Sequence, residues 1–450
     1  MNKKNELKTK VNLINLGCPK NEVDGESMAS LLCEKGYQMT EEKEEADILI
    51  LNTCGFIDSA KEESIDEIFN LICLKNKNKE KKIIVSGCLT QRYPEELWKN
   101  IPEIDGLLGI GDIFKINKLC SSVLEGKRLS LVSFPEKNNG KIKIKRKAQN
   151  RPYAYIKIAD GCDNHCSYCA IPNIRGKFRS KSIEDILKEA RQLVNYGVKE
   201  ISLVAQDTTL YGTDIYGEKK LPQLLFLLSE IPELEWIRLL YTHPAHFSDE
   251  LIEQVASNPK VCKYIDLPLQ HISDEILAQM NRKVKRRDVE GLIFKLRGKI
   301  PDLTLRTTFI VGFPGEKKKH FEELVEFVER TKFDKLGAFP YSKEEETPAY
   351  NFKGRLSSKL KHQRLDQLML TQQRVVFEEN KSKIGKTLTV LIDDKSKERD
   401  GYFFGRSQAE APEVDGVILV KSDNLKIGEF VKVKIVDYYD YDLVAKVVKN

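Results

Sequence analysis

Patterns typical of strands and of helices alternate along most of this chain, and this alternation limits its possible folds more than any other feature. In the N-terminal part, apolar runs of strand length at 11–16, 46–54 and 82–88 are separated by helical patterns. Such alternation predicts a parallel sheet with helices on both faces. From Tyr153 a second block repeats the alternation in six strand-helix units, which predicts a barrel-like sheet shorter than a full eightfold one.

The C-terminal stretch, 384–450, has a different pattern of short β-branched runs punctuated by Gly and Asp. It predicts a small antiparallel β-barrel of about five strands. We therefore expect an N-terminal α/β domain at 1–132, a linker at 133–152, a barrel-like domain at 153–383 and the small β-barrel at 384–450. The linker contains the basic run KIKIKRK, which is typical either of a solvated connection or of a contact with an acidic or phosphate-bearing partner.

Composition narrows the class of protein without identifying it. With 41% hydrophobic and 32% charged residues, the chain has the composition of ordinary globular proteins, and no apolar run reaches the roughly 18 residues of a membrane span. The N-terminus lacks the apolar segment of a signal peptide, so we expect a cytoplasmic protein that uses no membrane. The ten cysteines are too few for a disulfide scaffold, and the net charge of +6 is too small to define a nucleic-acid binder.

One short segment, DGCDNHCSYCAIP, carries three cysteines at the spacing C-x3-C-x2-C, namely Cys162, Cys166 and Cys169. They follow the first strand of the second block, at the end where α/β barrels place their active sites. Structural zinc usually has four ligands, whereas short-spaced cysteines in one loop commonly hold an iron-sulfur cluster. The motif therefore predicts a four-iron cluster with one iron that has no protein ligand. The alternative is a zinc site completed by His165, which we otherwise expect to be a neighbour and not a ligand.

Three further cysteines each stand just after a predicted strand of the N-terminal block: Cys18, Cys54 and Cys88. The carboxyl ends of parallel strands lie side by side, and ligands bind in the crevice outside them. The repeated placement predicts that these cysteines converge on a second cluster, again with three protein ligands. The alternative is that they are buried cysteines serving only as small apolar residues, an interpretation that fits the other cysteines: Cys33, Cys73, Cys120 and Cys262.

The C-x3-C-x2-C motif, with Tyr168 before its last cysteine, resembles that of the radical S-adenosylmethionine superfamily. A three-cysteine α/β domain, a radical domain and a C-terminal barrel of the TRAM type together are similar to the methylthiotransferase family over nearly the whole chain. The resemblance implies two 4Fe-4S clusters and S-adenosylmethionine, which supplies the methyl group and the radical that attacks an unreactive C–H bond. It also implies that the N-terminal cluster handles the inserted sulfur, and that an electron donor and a sulfur source are required.

Local motifs resemble the branch of that family that modifies ribosomal protein S-twelve, which implies methylthiolation at the β-carbon of an aspartate. In LGCPKNEVDGES, Pro19 and Lys20 stand where the tRNA-modifying branch typically has Gln-Met, and Gly25 departs from the usual serine. The segments AQDTTLYG, IDLPLQHISDEIL, LRTTFIVGFPGE and YSKEEETPAY also resemble the ribosomal-protein branch. The alternatives are a tRNA methylthiotransferase and a non-catalytic, metal-stabilised scaffold that binds the ribosome or RNA.

The charge of the C-terminal stretch bears on the choice of substrate. Residues 384–450 contain eleven Lys and Arg against twelve Asp and Glu, a net charge of −1. A domain that binds tRNA through its phosphates is expected to be basic. The acidic balance, with DYYDYD at 437–442, therefore favours a basic ribosomal protein, although DYYDYD alone is equally consistent with a plain strand end and turn.

Four other residues are weaker candidates, which we predict to contact the cofactor. Gln206 and Asp207 follow the second strand of the second block, and Arg306 and Thr307 lie in its fifth strand. Structural roles are as consistent with these positions as cofactor binding is. We predict no catalytic role for two histidines near strand ends: His243 and His271.

Overall fold

The structure is a computed structural model that describes residues 9–135, 146 and 151–448. Most of the predicted linker, including KIKIKRK apart from Arg146, lies outside these residues, so both interpretations of that basic run stay open. Arg146 itself is buried, and its Nε lies 3.3 Å from a carboxylate oxygen of Glu26. None of the helices in the described part of the chain combines the length and the apolar character that a membrane span needs.

Contacts between residues divide the chain into two compact units. The described residues of the first unit lie in three stretches: 1–147, 160–179 and 342–350. Those of the second unit lie in three others: 148–159, 180–341 and 351–450. All six candidate ligand cysteines therefore belong to the first unit.

Parallel strands alternate with helices in the first unit. Its strands are β1 (Lys10–Asn15), β2 (Gln38–Met39), β3 (Ile48–Thr53), β4 (Lys82–Gly87), β5 (Gly106–Leu108) and β6 (Leu129–Leu131). Its helices are α1 (Pro19–Glu34), α2 (Asp58–Lys77), α3 (Cys88–Arg92), α4 (Pro94–Asn100), α5 (Ile116–Leu124) and α6 (Ile171–Arg175). The strands form one sheet in the order β2-β1-β3-β4-β5-β6, with every pair parallel.

The middle strand β3 explains why helices cover both faces of this sheet. Successive side chains of a strand point to opposite faces, and every residue of β3 is buried. Leu49 and Leu51 pack in the apolar cluster that includes residues of α2 and α4. Ile48 and Ile50 pack in the cluster on the other face, with residues of α1 and α5. The predicted two-sided α/β domain is confirmed.

A second sheet, also parallel, forms the centre of the second unit. Its strands are β7 (Tyr153–Lys157), β10 (Glu200–Val204), β11 (Trp236–Leu239), β12 (Val261–Asp266), β13 (Thr304–Val311) and β14 (Lys335–Pro340), while β8 (Ala159–Asp160) and β9 (Arg179–Ser180) are short strands outside it. The helices are α7 (Ile183–Asn195), α8 (Thr213–Tyr216), α9 (Leu221–Ser229), α10 (Asp249–Ser257), α11 (Asp274–Gln279), α12 (Arg286–Lys299), α13 (Lys318–Thr331) and α14 (Ser358–Lys383). The sheet order β14-β13-β12-β11-β10-β7 follows the chain, which confirms the predicted partial barrel.

The C-terminal residues form a closed barrel. Its strands are β15 (Thr387–Lys395), β16 (Tyr402–Arg406), β17 (Ile418–Lys421), β18 (Phe430–Tyr439) and β19 (Asp442–Val447). The pairs are antiparallel, as predicted, except β17 with β19, which is parallel. One parallel pair is unavoidable, because strand directions cannot alternate all the way around a closed barrel with an odd number of strands.

The acidic segment DYYDYD forms a hairpin in this barrel. It contains the end of β18, the turn at 440–441 and the start of β19. Tyr439 and Tyr441 are exposed, and Asp442 Oδ1 accepts the amide of Val417 at 2.8 Å. The segment is therefore a strand end and turn that also presents acidic and aromatic side chains to solvent.

Candidate metal centre

Three cysteines, named here the strand-end cysteines, lie at one edge of the first sheet: Cys18, Cys54 and Cys88. Cys18 caps the start of α1 just after β1, Cys54 follows β3 directly, and Cys88 begins α3 directly after β4. Strand β3 pairs in parallel with both β1 and β4. The carboxyl edge of the sheet therefore brings together the three residues that the sequence placed at strand ends.

Each strand-end cysteine has a glycine neighbour in the chain, which sequence reasoning overlooked: Gly17, Gly55 and Gly87. A Cβ atom at Gly17 would lie 3.0 Å from the Sγ of Cys54, and one at Gly87 would lie 2.4 Å from the backbone oxygen of Thr53. Gly87 also has a φ of +94°, a conformation that favours glycine. The sequence signal for this feature was a glycine next to cysteine in each of three segments: LGC, TCG and SGC. A glycine at these positions lets the backbone segments of neighbouring strands approach closely at this edge of the sheet.

Gly25, the one departure from the family pattern in this region, lies against Asn15. A Cβ at Gly25 would come within 1.9 Å of Asn15 Oδ1, and the same oxygen accepts a hydrogen bond from Asn52 Nδ2 at 3.0 Å. Gly25 thus makes room for an asparagine that is bonded across the sheet. The departure has a local packing reason and does not involve a strand-end cysteine.

The electrostatic surroundings distinguish Cys18 from the other strand-end cysteines. Burial opposes ionisation of its thiol, but the charges of Lys20 and Arg175 and backbone hydrogen bonds at the start of α1 outweigh burial and lower the pKa of Cys18. Burial and the neighbouring Cys88 raise the pKa of Cys54 to about 12, and burial raises the pKa of the Cys88 thiol. Cys18 therefore ionises most easily, while the other two thiols need the positive charge of a bound metal to lose their protons.

The spacing of the cysteine sulfurs suits a cluster better than a single ion. Thiolates around one zinc ion, with Zn–S about 2.3 Å, lie about 3.8 Å from one another. Within the described residues, the one group of three potential ligand atoms that all lie within 4.8 Å of each other comprises Asp207, His243 and His246, and no cysteine. A cuboidal four-iron cluster is larger than an ion, so it accommodates more widely spaced thiolates.

Polar groups close to Cys88 in the chain also fit a bound group. The hydroxyl oxygens of Ser86 and Thr90 are buried and have no hydrogen-bond partner within the described part of the chain. Buried polar groups are normally hydrogen-bonded, so hydroxyls that the protein itself leaves unsatisfied are expected where something else binds. The three thiols fit an iron-sulfur cluster as ligands of its irons. The hydroxyls fit it as donors, because the sulfide ions of a cluster accept hydrogen bonds.

The C-x3-C-x2-C segment, named here the cysteine loop, is held by backbone hydrogen bonds within the first unit. The amide of Cys162 donates to the carbonyl of Gly176 at 3.1 Å, and the amide of Cys169 donates to the carbonyl of Cys166 at 3.1 Å. Cys166 is buried, while Cys162 and Cys169 are half-buried. The side chain of His165 is exposed, and its role as a neighbour of the cluster stays a prediction.

Sequence reasoning missed Arg175, which contacts one of the strand-end cysteines. Arg175 is the last residue of α6, its side chain is buried, and its Nη2 lies 3.6 Å from Cys88 Sγ. Its Nη1 lies 3.1 Å from both Asp24 Oδ2 and Asp160 Oδ1. Burial alone would lower the pKa of Arg175, but the charges of Asp160, Cys88 and Asp24 raise it, so the guanidinium stays cationic. The available signal was only its place shortly after Cys169 in the chain.

In the second unit, Asp207 is buried beside two histidines. Its Oδ2 lies 2.7 Å from His246 Nδ1, and its Oδ1 accepts the amide of Thr209 at 3.1 Å. The ring of His246 stacks on that of His243 with 4.6 Å between centroids. Burial, followed by the charge of Arg282, lowers the pKa of His243 to about 3, so this histidine is neutral near pH 7. These contacts account structurally for Asp207, and its contact with the cofactor stays a prediction.

The other candidates for cofactor binding also have partners in the second unit. Arg306 Nη1 donates to Asp266 at 2.9 Å, and the hydroxyl of buried Thr307 donates to the carbonyl of Leu267 at 2.9 Å. Gln206 is half-buried directly before Asp207. Their predicted role at the cofactor stays a prediction, as it does for Asp207.

Three stretches of the chain match known protein families. Residues 10–109 match the uncharacterized protein family UPF0004, residues 156–328 match the radical SAM superfamily, and residues 384–448 match the TRAM domain. The three matches cover, in order, residues of the first sheet, of the second sheet and of the closed barrel.

Similar proteins match over nearly their full length. The chain is 47% identical to the ribosomal protein uS12 methylthiotransferase RimO of Desulforamulus reducens, over 97% of this chain and 99% of that one. Proteins with the same name from Clostridioides difficile and Acetivibrio thermocellus are 47% and 45% identical. The alignment with the Clostridioides difficile protein covers 97% of this chain and 98% of that one. The alignment with the Acetivibrio thermocellus protein covers 99% of each chain.

Solved structures share the fold at low sequence identity. The radical S-adenosylmethionine methyltransferase TsrM from Kitasatospora setae, with cobalamin and a [4Fe-4S] cluster bound, superposes with a TM-score of 0.56 at 14% identity, over 76% of this chain and 77% of that one. The apo form of the cobalamin-dependent radical enzyme OxsB gives a TM-score of 0.52 at 13% identity, over 81% of this chain and 56% of that one. At such identities the likeness concerns the fold alone.

Proposed function

This chain belongs to the family of ribosomal protein uS12 methylthiotransferases, and we propose that it attaches a methylthio group to the β-carbon of an aspartate of that ribosomal protein. The observation that carries the proposal is the presence of two three-cysteine sets in one compact unit, the strand-end cysteines and the cysteine loop. Identities of 45% to 47% over nearly the full length of the relatives support the choice of substrate.

We propose that each cysteine set holds a 4Fe-4S cluster through three thiolates, which leaves one iron of each cluster for a ligand that is not a side chain. The target C–H bond has no acidic proton, so general acid–base catalysis by side chains cannot start the reaction. When bound, the clusters and S-adenosylmethionine supply the electron, the radical chemistry and the methyl group.

The residues of the chain bind and position these groups. Cys88 is buried and Cys54 half-buried, which limits the access of water to the strand-end site. Arg175 supplies a buried positive charge beside Cys88, and this charge favours thiolate there. The glycine neighbours of the strand-end cysteines allow the close backbone approach that this edge of the sheet requires.

The closed barrel supports a protein substrate rather than tRNA. Its stretch carries a net charge of −1, whereas binding to RNA depends strongly on neutralising phosphates with Lys and Arg. The hairpin of DYYDYD exposes Tyr439 and Tyr441 beside acidic residues, a surface suited to a basic protein. We propose that the barrel contacts the ribosomal protein.

Further parts of the proposal follow from the same chemistry. Reducing a cluster requires an electron donor, and inserting sulfur requires a sulfur source, so we propose both as further partners of the chain. Because the substrate is a ribosomal protein, we propose the cytoplasm as the location of the reaction. We also retain the predicted domain boundaries and the predicted cofactor contacts of Gln206, Asp207, Arg306 and Thr307.

Iron and sulfide analysis after anaerobic reconstitution tests the two-cluster site. We expect about eight irons per chain for the wild type and about four for each triple Cys→Ala variant, one lacking the strand-end cysteines and one lacking the cysteine loop. The two variants control for each other, because each one retains the cysteines of the other site. About four irons in the wild type, or no cleavage of S-adenosylmethionine after reduction, contradicts a two-cluster enzyme.

Mass spectrometry of both candidate substrates tests the specificity. Ribosomal protein uS12 and total tRNA are compared between a strain that lacks this chain and the same strain with the gene restored. We expect the methylthio modification to disappear from the ribosomal protein and to remain on tRNA. Loss from tRNA alone would overturn the proposed substrate.

A further inference from the structure

We propose that Arg175 is a positioning residue that sets the reduction potential of the cluster on the strand-end cysteines by donating a hydrogen bond to Cys88. The inference rests on the proposed function only in requiring a cluster at that site. Hydrogen bonds to the sulfurs and the net charge around a cluster are among the main determinants of its potential.

The contacts of Arg175 fix the direction of its guanidinium. Nη2 faces Cys88 Sγ at 3.6 Å. Nη1 lies 3.1 Å from Asp24 Oδ2 and 3.1 and 3.2 Å from the two oxygens of Asp160. A guanidinium is a rigid planar fork, so carboxylates on one nitrogen hold the other nitrogen toward the sulfur.

The burial of this group makes its charge effective. The side chains of Arg175 and Asp24 are 1% and 4% exposed, so water screens them little. A positive charge and an N–H donor stabilise the reduced, more negative form of a nearby cluster. Arg175 therefore raises the potential of the strand-end cluster, and the two carboxylates lower it.

Packing keeps Arg175 next to both cysteine sets. Ile174, the preceding residue, packs in one apolar cluster with Cys88. Gly176, the following residue, accepts the amide of Cys162 through its carbonyl. The backbone at Arg175 is therefore held between Cys88 and the cysteine loop, and the carboxylates of Asp24 and Asp160 hold its side chain.

The test is a redox titration of the reconstituted full-length chain, followed by electron paramagnetic resonance. Added S-adenosylmethionine shifts the signal of the cluster on the cysteine loop and so distinguishes it from the strand-end cluster. At a fixed potential we expect Arg175→Gln to lower the reduced-to-oxidised ratio of the strand-end cluster about tenfold, equivalent to 59 mV for one electron. We expect Asp24→Asn to raise this ratio, because it removes a negative charge. Opposite signs follow from the opposite charges that the two variants remove, an outcome that loss of local structure does not by itself predict.

Two further variants make the result decisive. Arg175→Lys keeps the charge, and we expect a ratio between those of the wild type and Arg175→Gln. Arg128→Gln removes another arginine of the same unit, one that directly precedes β6, at the edge of the sheet opposite the strand-end cysteines, and donates to the backbone oxygens of Ile104 and Trp98. We expect lower thermal stability with an unchanged ratio. An unchanged ratio in Arg175→Gln, or shifts of one sign in the arginine and aspartate variants, overturns the proposal.

A substitute variant is needed if Arg175→Gln loses the strand-end cluster. If Arg175→Gln does not retain iron at the strand-end site, Asp160→Asn replaces it, since Asp160 is only partly buried. We then expect a raised ratio in Asp160→Asn, and an unchanged or lowered ratio overturns the proposal. A wild-type chain without a strand-end cluster contradicts the proposed function instead, so the two failures are distinguishable by iron content alone.

Discussion

Arg406 Nη1 lies 2.6 Å from Glu200 Oε2, and both side chains are almost completely buried. Arg406 ends β16 of the closed barrel, and Glu200 begins β10 of the second sheet. The other oxygen of Glu200 binds Arg238 Nε at 2.6 Å, while Asp393 binds Arg406 Nε at 2.6 Å. Two arginines and two carboxylates thus form a charge-balanced network that joins the barrel to the sheet within the second unit.

Replacement of Glu200 by glutamine is expected to destabilise the second unit strongly. The change leaves two buried guanidinium groups with one carboxylate, and removing one partner of a buried ion pair typically costs about 3–5 kcal/mol. Urea unfolding followed by tryptophan fluorescence measures the loss, since Trp236 lies on β11 of the same sheet. The control is Glu253→Gln at an exposed position of α10, expected to change the free energy of unfolding by less than about 0.5 kcal/mol. Equal stability of the two variants would show that the network contributes little.

The two sheets were predictable from the sequence, because each buried strand is itself a short apolar run. In β3 every residue is apolar or buried polar, and Leu49 and Ile50 already face opposite helical layers. A strand buried on both sides reads as a continuous apolar run, so its neighbours in a parallel sheet follow from the alternation with helices. The placement of cysteines after such runs was visible for the same reason.

Contacts between distant segments could not be read from the sequence. Arg175 meets Cys88 across 87 positions, and Arg406 meets Glu200 across 206. Each charged residue has dozens of possible partners in a chain with 32% charged residues, and nothing local selects one of them. The motif YSKEEETPAY was recognised only as a resemblance, although Glu344 in it pairs with Arg92 inside the first unit.

Gly87→Ala is expected to remove the cluster from the strand-end site. The added Cβ would lie 2.4 Å from the backbone oxygen of Thr53, so the strand or Cys88 must shift. We expect iron to fall from about eight toward about four per chain after reconstitution. The measurement is iron and sulfide content beside that of the wild type.

The matched control for this change is Gly36→Ala. Gly36 has a φ of +90°, close to that of Gly87, but a Cβ there meets no atom within 4 Å. Gly36→Ala therefore controls for the positive φ alone, whereas Gly87→Ala adds the collision and a ψ of −159°, a backbone region that residues with a Cβ avoid. Full iron content in both variants contradicts the tight packing at the strand-end site.

Cysteines outside the two sets are expected to be dispensable for iron binding. Cys33 lies in α1 and the exposed Cys73 lies in α2, away from the carboxyl ends of the strands. The double variant Cys33/Cys73→Ala should retain about eight irons and cleave S-adenosylmethionine at the rate of the wild type. A loss of about four irons would identify one of them as a ligand and displace a strand-end cysteine from that role.

Acid is expected to destabilise the second unit through His271. This histidine is fully buried, its Nδ1 accepts the amide of Ser273 at 3.0 Å, and burial, with the charges of His320 and Arg364, lowers its pKa from 6.5 to about 3. Between pH 3 and pH 6.5, His271 is therefore protonated in the unfolded chain and neutral in the folded chain. The free energy of unfolding therefore falls as the pH drops below 6.5, by about 1.4 kcal/mol per pH unit from this residue.

His271→Asn tests this contribution, because the amide oxygen can still accept the hydrogen bond of Ser273 but does not titrate. Glu316, 3.7 Å from His271 Nε2, has a pKa raised by burial and acts in the opposite direction, but it is present in both proteins. The difference in slope between wild type and variant, from urea unfolding at pH 5 to 6.5, should therefore approach one proton. A wild-type slope in His271→Asn would mean that His271 is protonated in the folded chain.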